Sequence, residues 1–203
     1  MYVINYQHLF RYLEYLKKSR KMDPAEVEFL AEREMVTIVP NFKEKKMFLL
    51  SGDFGPFSPG DPVEVPIWMA VSLKQKQKCR LHAPEWMGVE KLLEFKERET
   101  DEDVFTKPPS NHYMEISSML LKCASDDIQN ADEVRTLIKD IWDVRLAKLR
   151  RSIDQMVMRQ ETHAQIDNLT VMEINRVRTI LGSALDQMHN LRCYVAQLPT
   201  PTT

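Results

Sequence analysis

Lys74, Lys76, Lys78 and Arg80 occupy every second position of the stretch LKQKQKCR at 73–80. Cations so spaced could grip a phosphate backbone if one face carried them all. A strand would gather the four on one side, whereas a helix, turning about 100° per residue, splits them into Lys74 with Lys78 and Lys76 with Arg80. The surrounding IWMAVSLKQKQKCRL lacks glycine and proline, and Ile67, Ala70, Val71 and Leu73 keep near-helical spacing behind Pro66. The basic stretch is therefore predicted to form the second half of a helix, with its charges divided. Lys74 and Lys78 then repel slightly as a like-charged i,i+4 pair. No aromatic residues interleave to stack bases, so a solvated face is favoured over a nucleic-acid contact.

Other chemistry is sparse. His8, His82, His112, His163 and His189 show no HExxH or Cys/His ligand spacing, and no metal is implied. There is no GxSxG, Walker A or GxGxxG motif, and most carboxylates stand beside Lys and Arg on predicted helix faces, where a solvated ion pair is the simpler reading. No catalytic constellation and no cofactor is expected. Asn168-Leu169-Thr170 matches a glycosylation sequon, but Thr170 reads better as a helix cap. The 12 methionines lend weak support to an adaptable interaction surface, although filling helical cores is their commoner use.

With 28 basic and 30 acidic residues in 203, the chain has no global field that would draw it onto a polyanion. Cys79, Cys123 and Cys193 are odd in number and far apart, which fits a reducing compartment rather than a disulfide framework. No apolar run approaches the ~18 residues of a membrane span, and a soluble chain is expected. In residues 1–21, MYVINYQHLFRYLEYLKKSRK, the charges follow the apolar part and no small-residue cleavage site appears, which argues against secretion. Leu9, Tyr12, Leu13 and Leu16 could share a helical face there. An extension upstream of an alternative start at Met22 is preferred to a docking helix or a targeting segment.

The elements that would carry these residues can be read in order. Asp23-Pro24-Ala25-Glu26 sets a cap, a first-turn proline and an N3 carboxylate before a helix at about 24–34. MVTIVPNF and KKMFLLSG read as strands able to pair as a hairpin. The glycines and prolines of GDFGPFSPGDPVEVP at 52–66 exclude a helix and suggest a turn-rich connector. A helix or turn from Pro84 to about Glu99 precedes the charged KERETDEDVFTKPPS, read as a flexible connection. Helical patterns follow at about 111–124, 131–165 and 171–196, the last two opened by capping boxes at Asn130/Glu133 and Thr170/Glu173.

Three blocks carry a family resemblance: GPFSPGDPVEVPIWMAVSLKQKQKCRLHAPEWM (55–87), ADEVRTLIKDIWDVRLAKLR (131–150) and DNLTVMEIN (167–175). Together they resemble the second, Psf-type subunits of the eukaryotic GINS replication complex, from Met22 to about Leu198 in order; residues 1–21 depart from that pattern. The resemblance implies an α+β, mainly α fold: an extension at 1–21, a small β-rich domain at 22–66, a helical domain at 67–198 and a tail at 199–203. It implies no enzyme, but a structural subunit of a heterotetramer needed for initiation and elongation of chromosomal replication in the nucleus. The expected partners are the three other GINS subunits and, through the complex, the MCM ring and a RecJ-like factor of the replicative helicase, with DNA met only indirectly. A helical nucleic-acid-binding module using residues 74–80 is the alternative.

The long helix after Asn130 is expected to carry a subunit interface. Ile138, Trp142, Leu149, Ile153 and Met156 form one apolar stripe, assigned to the domain's own core. Val134, Leu137, Ile141 and Val144 form a second seam, displaced by roughly a quarter turn and assigned to a partner.

Overall fold

A computed structural model describes residues 22–159 and 167–176. Helix α1, Pro24–Ala31, opens as the sequence predicts: the Asp23 amide donates to Glu26 Oε2 at 3.0 Å, completing a capping box with proline in the first turn. Strand β1, Met35–Pro40, alternates inward Val36, Ile38 and Pro40 with more exposed neighbours. It is the middle strand of an antiparallel sheet, paired with β4, Val63–Pro66, on one side and β5, Cys79–Leu81, on the other.

The expected hairpin between MVTIVPNF and KKMFLLSG does not form. β2, Met47–Leu49, turns back through Leu50 and Ser51 to pair with β3, Gly52–Phe54, in a ribbon of its own. The connector at 52–66 therefore contains two short strands. Val63 and Val65 give β4 the β-branched residues that suit a half-buried strand, and Val65 is fully covered opposite Val36.

Helix α2, Ile67–Gln75, begins behind Pro66 but stops inside the basic stretch. Gln77 takes φ 57°, and the chain reverses into β5, where Cys79 and Leu81 point inward and Arg80 outward. Strand content thus extends to Leu81, beyond the expected division at 66/67.

A 3₁₀ turn at Glu85–Met87 leads into α3, Val89–Asp101; α4, Tyr113–Cys123, and α5, Ala131–Arg159, follow. Asn130 departs from the expected cap: it sits at φ 54° and donates its side-chain amide to Glu133 Oε2 at 3.3 Å. At Thr170 the box does close, with the Thr170 amide donating to Glu173 Oε2 at 2.8 Å and the Glu173 amide to Thr170 Oγ1 at 3.3 Å. Residues 171–176 are helical; the rest of the predicted final helix, the 160–165 end of the long helix, His8, His163, His189 and Cys193 lie outside the described residues.

Sheet and helices share one apolar core. Ile38, Val65 and Leu81 of the sheet belong to the same cluster as Leu92, Leu120 and Ile141 of the helices. Burial on this scale is the main favourable term in folding, and its continuity makes the two parts one packed unit.

Candidate interaction site

The basic stretch does not make a single cationic face. Lys74, at the end of α2, is only 9% exposed, and its Nζ lies 2.6 Å from Asp127 Oδ2. The same oxygen accepts the Leu81 amide at 2.8 Å, so one carboxylate ties α2 and β5 to the turn after α4. Lys78 sits 5.5 Å over the Phe42 ring, while Lys76 and Arg80 are exposed. Of the four residues offered as a possible basic contact, Lys74 is thus withdrawn into the protein. The helical split fails as well, because the helix ends before Lys76.

The seam assigned to a partner is likewise covered from within. Val134, Leu137 and Ile141 are 1%, 6% and 0% exposed in the chain alone, and only Val144 of the four is half-buried. α5 packs against both α3 and α4, and Val134, Leu137, Ile138 and Ile141 all belong to the shared apolar core. Ile138 and Leu149 of the stripe assigned to the core are buried and Trp142 is half-buried; the side chains at 153 and 156 lie outside those described.

Where α5 passes the end of α3, a closed polar cluster replaces apolar packing. Arg145 has no exposed side-chain surface. Its Nε and Nη2 donate to the two oxygens of Glu173 at 2.6 and 3.0 Å, a bidentate pair. Nη1 donates to Glu99 Oε2 at 2.9 Å and to the Thr106 carbonyl at 3.1 Å, and Nη2 also reaches the Asn168 carbonyl at 2.7 Å. These bonds use every N–H that a guanidinium carries. One turn further on, Lys148 Nζ lies 2.9 Å from Glu99 Oε1 and donates to the Glu99 and Val104 carbonyls. Thr106 closes the other side through its hydroxyl and its amide to Glu99 Oε2.

Two cations and two carboxylates balance within the cluster, and Phe105 lies under both cations, 5.4 and 5.7 Å from its ring centre. Burial works against the Arg145 charge, but the Glu173 carboxylate outweighs it and raises the guanidinium pKa. Burial, reinforced by Glu173, also pushes the Tyr113 phenol far up; its hydroxyl lies 3.5 Å from Glu173 Oε1. The charged linker is therefore not a flexible connection throughout, since Phe105, Thr106 and Pro108 are buried and the first two are held by this network.

The cluster is sealed, with every Arg145 N–H engaged and Glu99 Oε1 held only by the Lys148 charge, so its chemistry is positional: it fixes the 104–106 segment and the 168–173 turn against α3 and α5. Sequence reasoning missed it. Glu99, Arg145 and Lys148 read as surface charges because each lies on a helix with other charges nearby, and only Glu173, as a cap, gave any signal. Among the described residues no group of three or more His, Cys, Asp or Glu side chains could hold a metal ion, and no helix is long and apolar enough to cross a membrane.

Exposed apolar surface concentrates in the sheet unit. Phe29, Met35 and Trp68 are 59%, 49% and 36% exposed, and Phe48 and Leu50 stand out from the β2–β3 ribbon.

Comparison with known proteins supplies the family context. Residues 23–82 match the family model described as PSF2 N-terminal domain, and residues 86–192 match the GINS complex protein helical bundle domain. The chain is 59% identical over 171 residues to the human DNA replication complex GINS protein PSF2, covering 84% of this chain and 92% of that protein. It is 55% identical to the Xenopus laevis protein of the same name, with the same coverage. The probable Drosophila melanogaster counterpart is 46% identical over 167 residues, covering 82% of each.

Proposed function

The chain belongs to the PSF2 family of GINS replication-complex proteins, and on that premise we propose that it is a non-catalytic subunit of a GINS heterotetramer. Its direct partners are the three other GINS subunits. Through the complex it meets the MCM ring and a RecJ-like factor in the helicase that unwinds chromosomal DNA during initiation and elongation. Its place of work is the nucleus. The β-rich and helical units divide near residues 82–86, after β5.

The observation that carries this reading is collinear similarity through both units, 59% identical over 84% of the chain, which ties the β-rich unit and the helical bundle to the same relative. A closed, charge-balanced cluster and a continuous core suit a scaffold whose task is to hold surfaces in fixed relation. The alternative, a nucleic-acid module on 74–80, gains nothing from a stretch whose Lys74 is bonded to Asp127.

Co-expression with the three other GINS subunits, followed by sizing, tests the proposal. The expected result is one peak holding all four chains in equal amounts. A chain that elutes alone while the other three assemble would overturn it. Duplex DNA binding by the lone chain with a steep salt dependence would point instead to counterion release and the alternative.

A further inference from the structure

The basic stretch fails as a single helical face, but the fold gives its exposed part new neighbours. The Asn41 amide donates to the Lys78 carbonyl and the Asn41 side-chain amide to the Gln77 carbonyl, each at 2.9 Å, which ties the turn after α2 to the segment leading into the β2–β3 ribbon. Lys78 lies 5.5 Å over Phe42, whose ring stacks on the buried Phe57, and Glu44 exchanges two backbone hydrogen bonds with Phe57 at 2.9 and 3.0 Å. Segments 41–46 and 76–80, distant in sequence, thus form one anchored surface.

That surface carries Lys43, Lys45, Lys46, Lys76, Lys78 and Arg80, all exposed, against the single carboxylate of Glu44. Six positive charges stand against one negative in a chain whose net charge is −2. Among the described residues only Lys46 of the six has a carboxylate partner, Asp53 at 3.1 Å, whereas Lys91, Lys96 and Arg98 of α3 all have one. Next to the cations the ribbon raises apolar side chains into solvent. Phe48, Leu49 and Leu50 are 75%, 41% and 110% exposed, with Lys46 5.7 Å from the Phe48 ring. The ribbon is two-stranded, and among the described residues no third strand joins it.

We propose that this surface docks an acidic, extended segment of another protein, one that sets aliphatic or aromatic side chains among its carboxylates. The carboxylates meet the cations of 43–46 and 76–80, and the apolar side chains cover Phe48 and Leu50. The segment's backbone pairs with an open edge of the ribbon, a two-stranded element that gains from a third strand. Three features favour a protein segment over nucleic acid. Leu49 and Leu50 offer no ring on which a base could stack. An open strand edge presents N–H and C=O groups in the register of another peptide backbone. At physiological salt a charge is felt over only about 8 Å, so a short segment lying on the patch senses it without the opposing charge of the remaining chain. Docking here requires no other GINS subunit, so it stands or falls apart from the tetramer.

Fluorescence anisotropy with the full-length chain tests the docking. The probe is a labelled synthetic peptide of alternating glutamate and leucine, about ten residues long, the upper length of a β-strand. Three comparisons accompany it: the peptide with glutamine for glutamate, the peptide with serine for leucine, and an oligothymidylate of equal charge. The glutamate–leucine peptide should bind, more weakly as salt rises, and Lys45→Glu with Lys76→Glu, one exposed position from each segment, should weaken it about tenfold. Phe48→Ser with Leu50→Ser, also exposed, should do the same. Lys139→Glu with Arg150→Glu, on the exposed face of α5, changes the net charge equally and should alter binding by less than about twofold. An equal loss from that α5 pair, equal binding of either comparison peptide, or no binding of the glutamate–leucine peptide overturns the proposal. Tighter binding of the oligothymidylate, lost with Lys45→Glu and Lys76→Glu, overturns it in favour of a nucleic-acid contact.

Discussion

Arg145→Met removes the guanidinium while keeping much of the side chain's apolar length. Glu173 then loses both Arg145 bonds and keeps only the Thr170 amide and the more distant Tyr113 hydroxyl, at 2.8 and 3.5 Å; Glu99 retains Lys148 and Thr106. One carboxylate, 1% exposed, is thus stripped of its cation inside the protein. Breaking a buried pair from one side destabilises by about 3–5 kcal/mol, against a total stability of about 5–15 kcal/mol for a domain. With a urea slope of about 2 kcal/mol/M, the midpoint should fall by about 1.5–2.5 M, read by circular dichroism. Glu173→Gln should be damaging alone and much less so in the Arg145→Met background, giving a coupling of at least about 1.5 kcal/mol in the double-mutant cycle. A midpoint shift below about 0.5 M, or strictly additive losses, would refute the view that these charges act as one buried unit.

Three further outcomes are expected. Glu115 is 5% exposed, neither of its oxygens has a hydrogen-bond partner among the described residues, and burial raises its carboxyl pKa. Its folded pKa lies above its unfolded one, so its contribution is most favourable below the unfolded value and is lost as pH rises through the folded one. Glu115→Gln should therefore stabilise the chain at pH 7 by on the order of 1 kcal/mol, a gain that disappears in thermal melts below about pH 4. Lys74→Met strands Asp127 in a half-shielded position and should cost about 2 kcal/mol, whereas Lys76→Met and Arg80→Met, on the surface, should each change stability by less than about 0.5 kcal/mol in denaturant titrations. Ile141→Glu places a carboxylate at a fully covered position and should cost at least about 4 kcal/mol, read as loss of cooperative unfolding in the isolated chain; a folded monomer that only fails to co-purify would return Ile141 to an interface.

What was legible in the sequence is what local rules govern. The cap at Asp23, the box at Thr170, the starts of α1 and α2 and the apolar periodicity of α5 depend on neighbours within a turn or two. Strand pairing does not. β1 finds β4 and β5 across 23 or more residues, and nothing in MVTIVPNF distinguishes them from the nearer KKMFLLSG. Lys74 shows the same limit, because its burial depends on Asp127, 53 residues away. The α5 seam failed differently: its periodicity was read correctly, but periodicity says that a face is covered and not by what. Val134 and Ile141 needed the positions of α3 and α4 to be settled.

The two polar nodes sit where apolar packing alone would leave the geometry loose. Hydrophobic burial is non-directional, so a continuous core can hold sheet and helices together without fixing how a short irregular segment lies on them. Asp127 fixes one such join by accepting from Lys74 on α2 and from the Leu81 amide on β5 through a single oxygen. Arg145 fixes another, since its planar fork meets Glu173, Glu99 and two carbonyls only if the 104–106 segment and the 168 turn approach from set directions. Desolvation offsets much of the attraction in such clusters, so their main effect is to exclude alternative arrangements rather than to add stability. A subunit that must offer several surfaces to different neighbours at once gains more from that exclusion than from extra stability, because an error at either join would displace every surface beyond it.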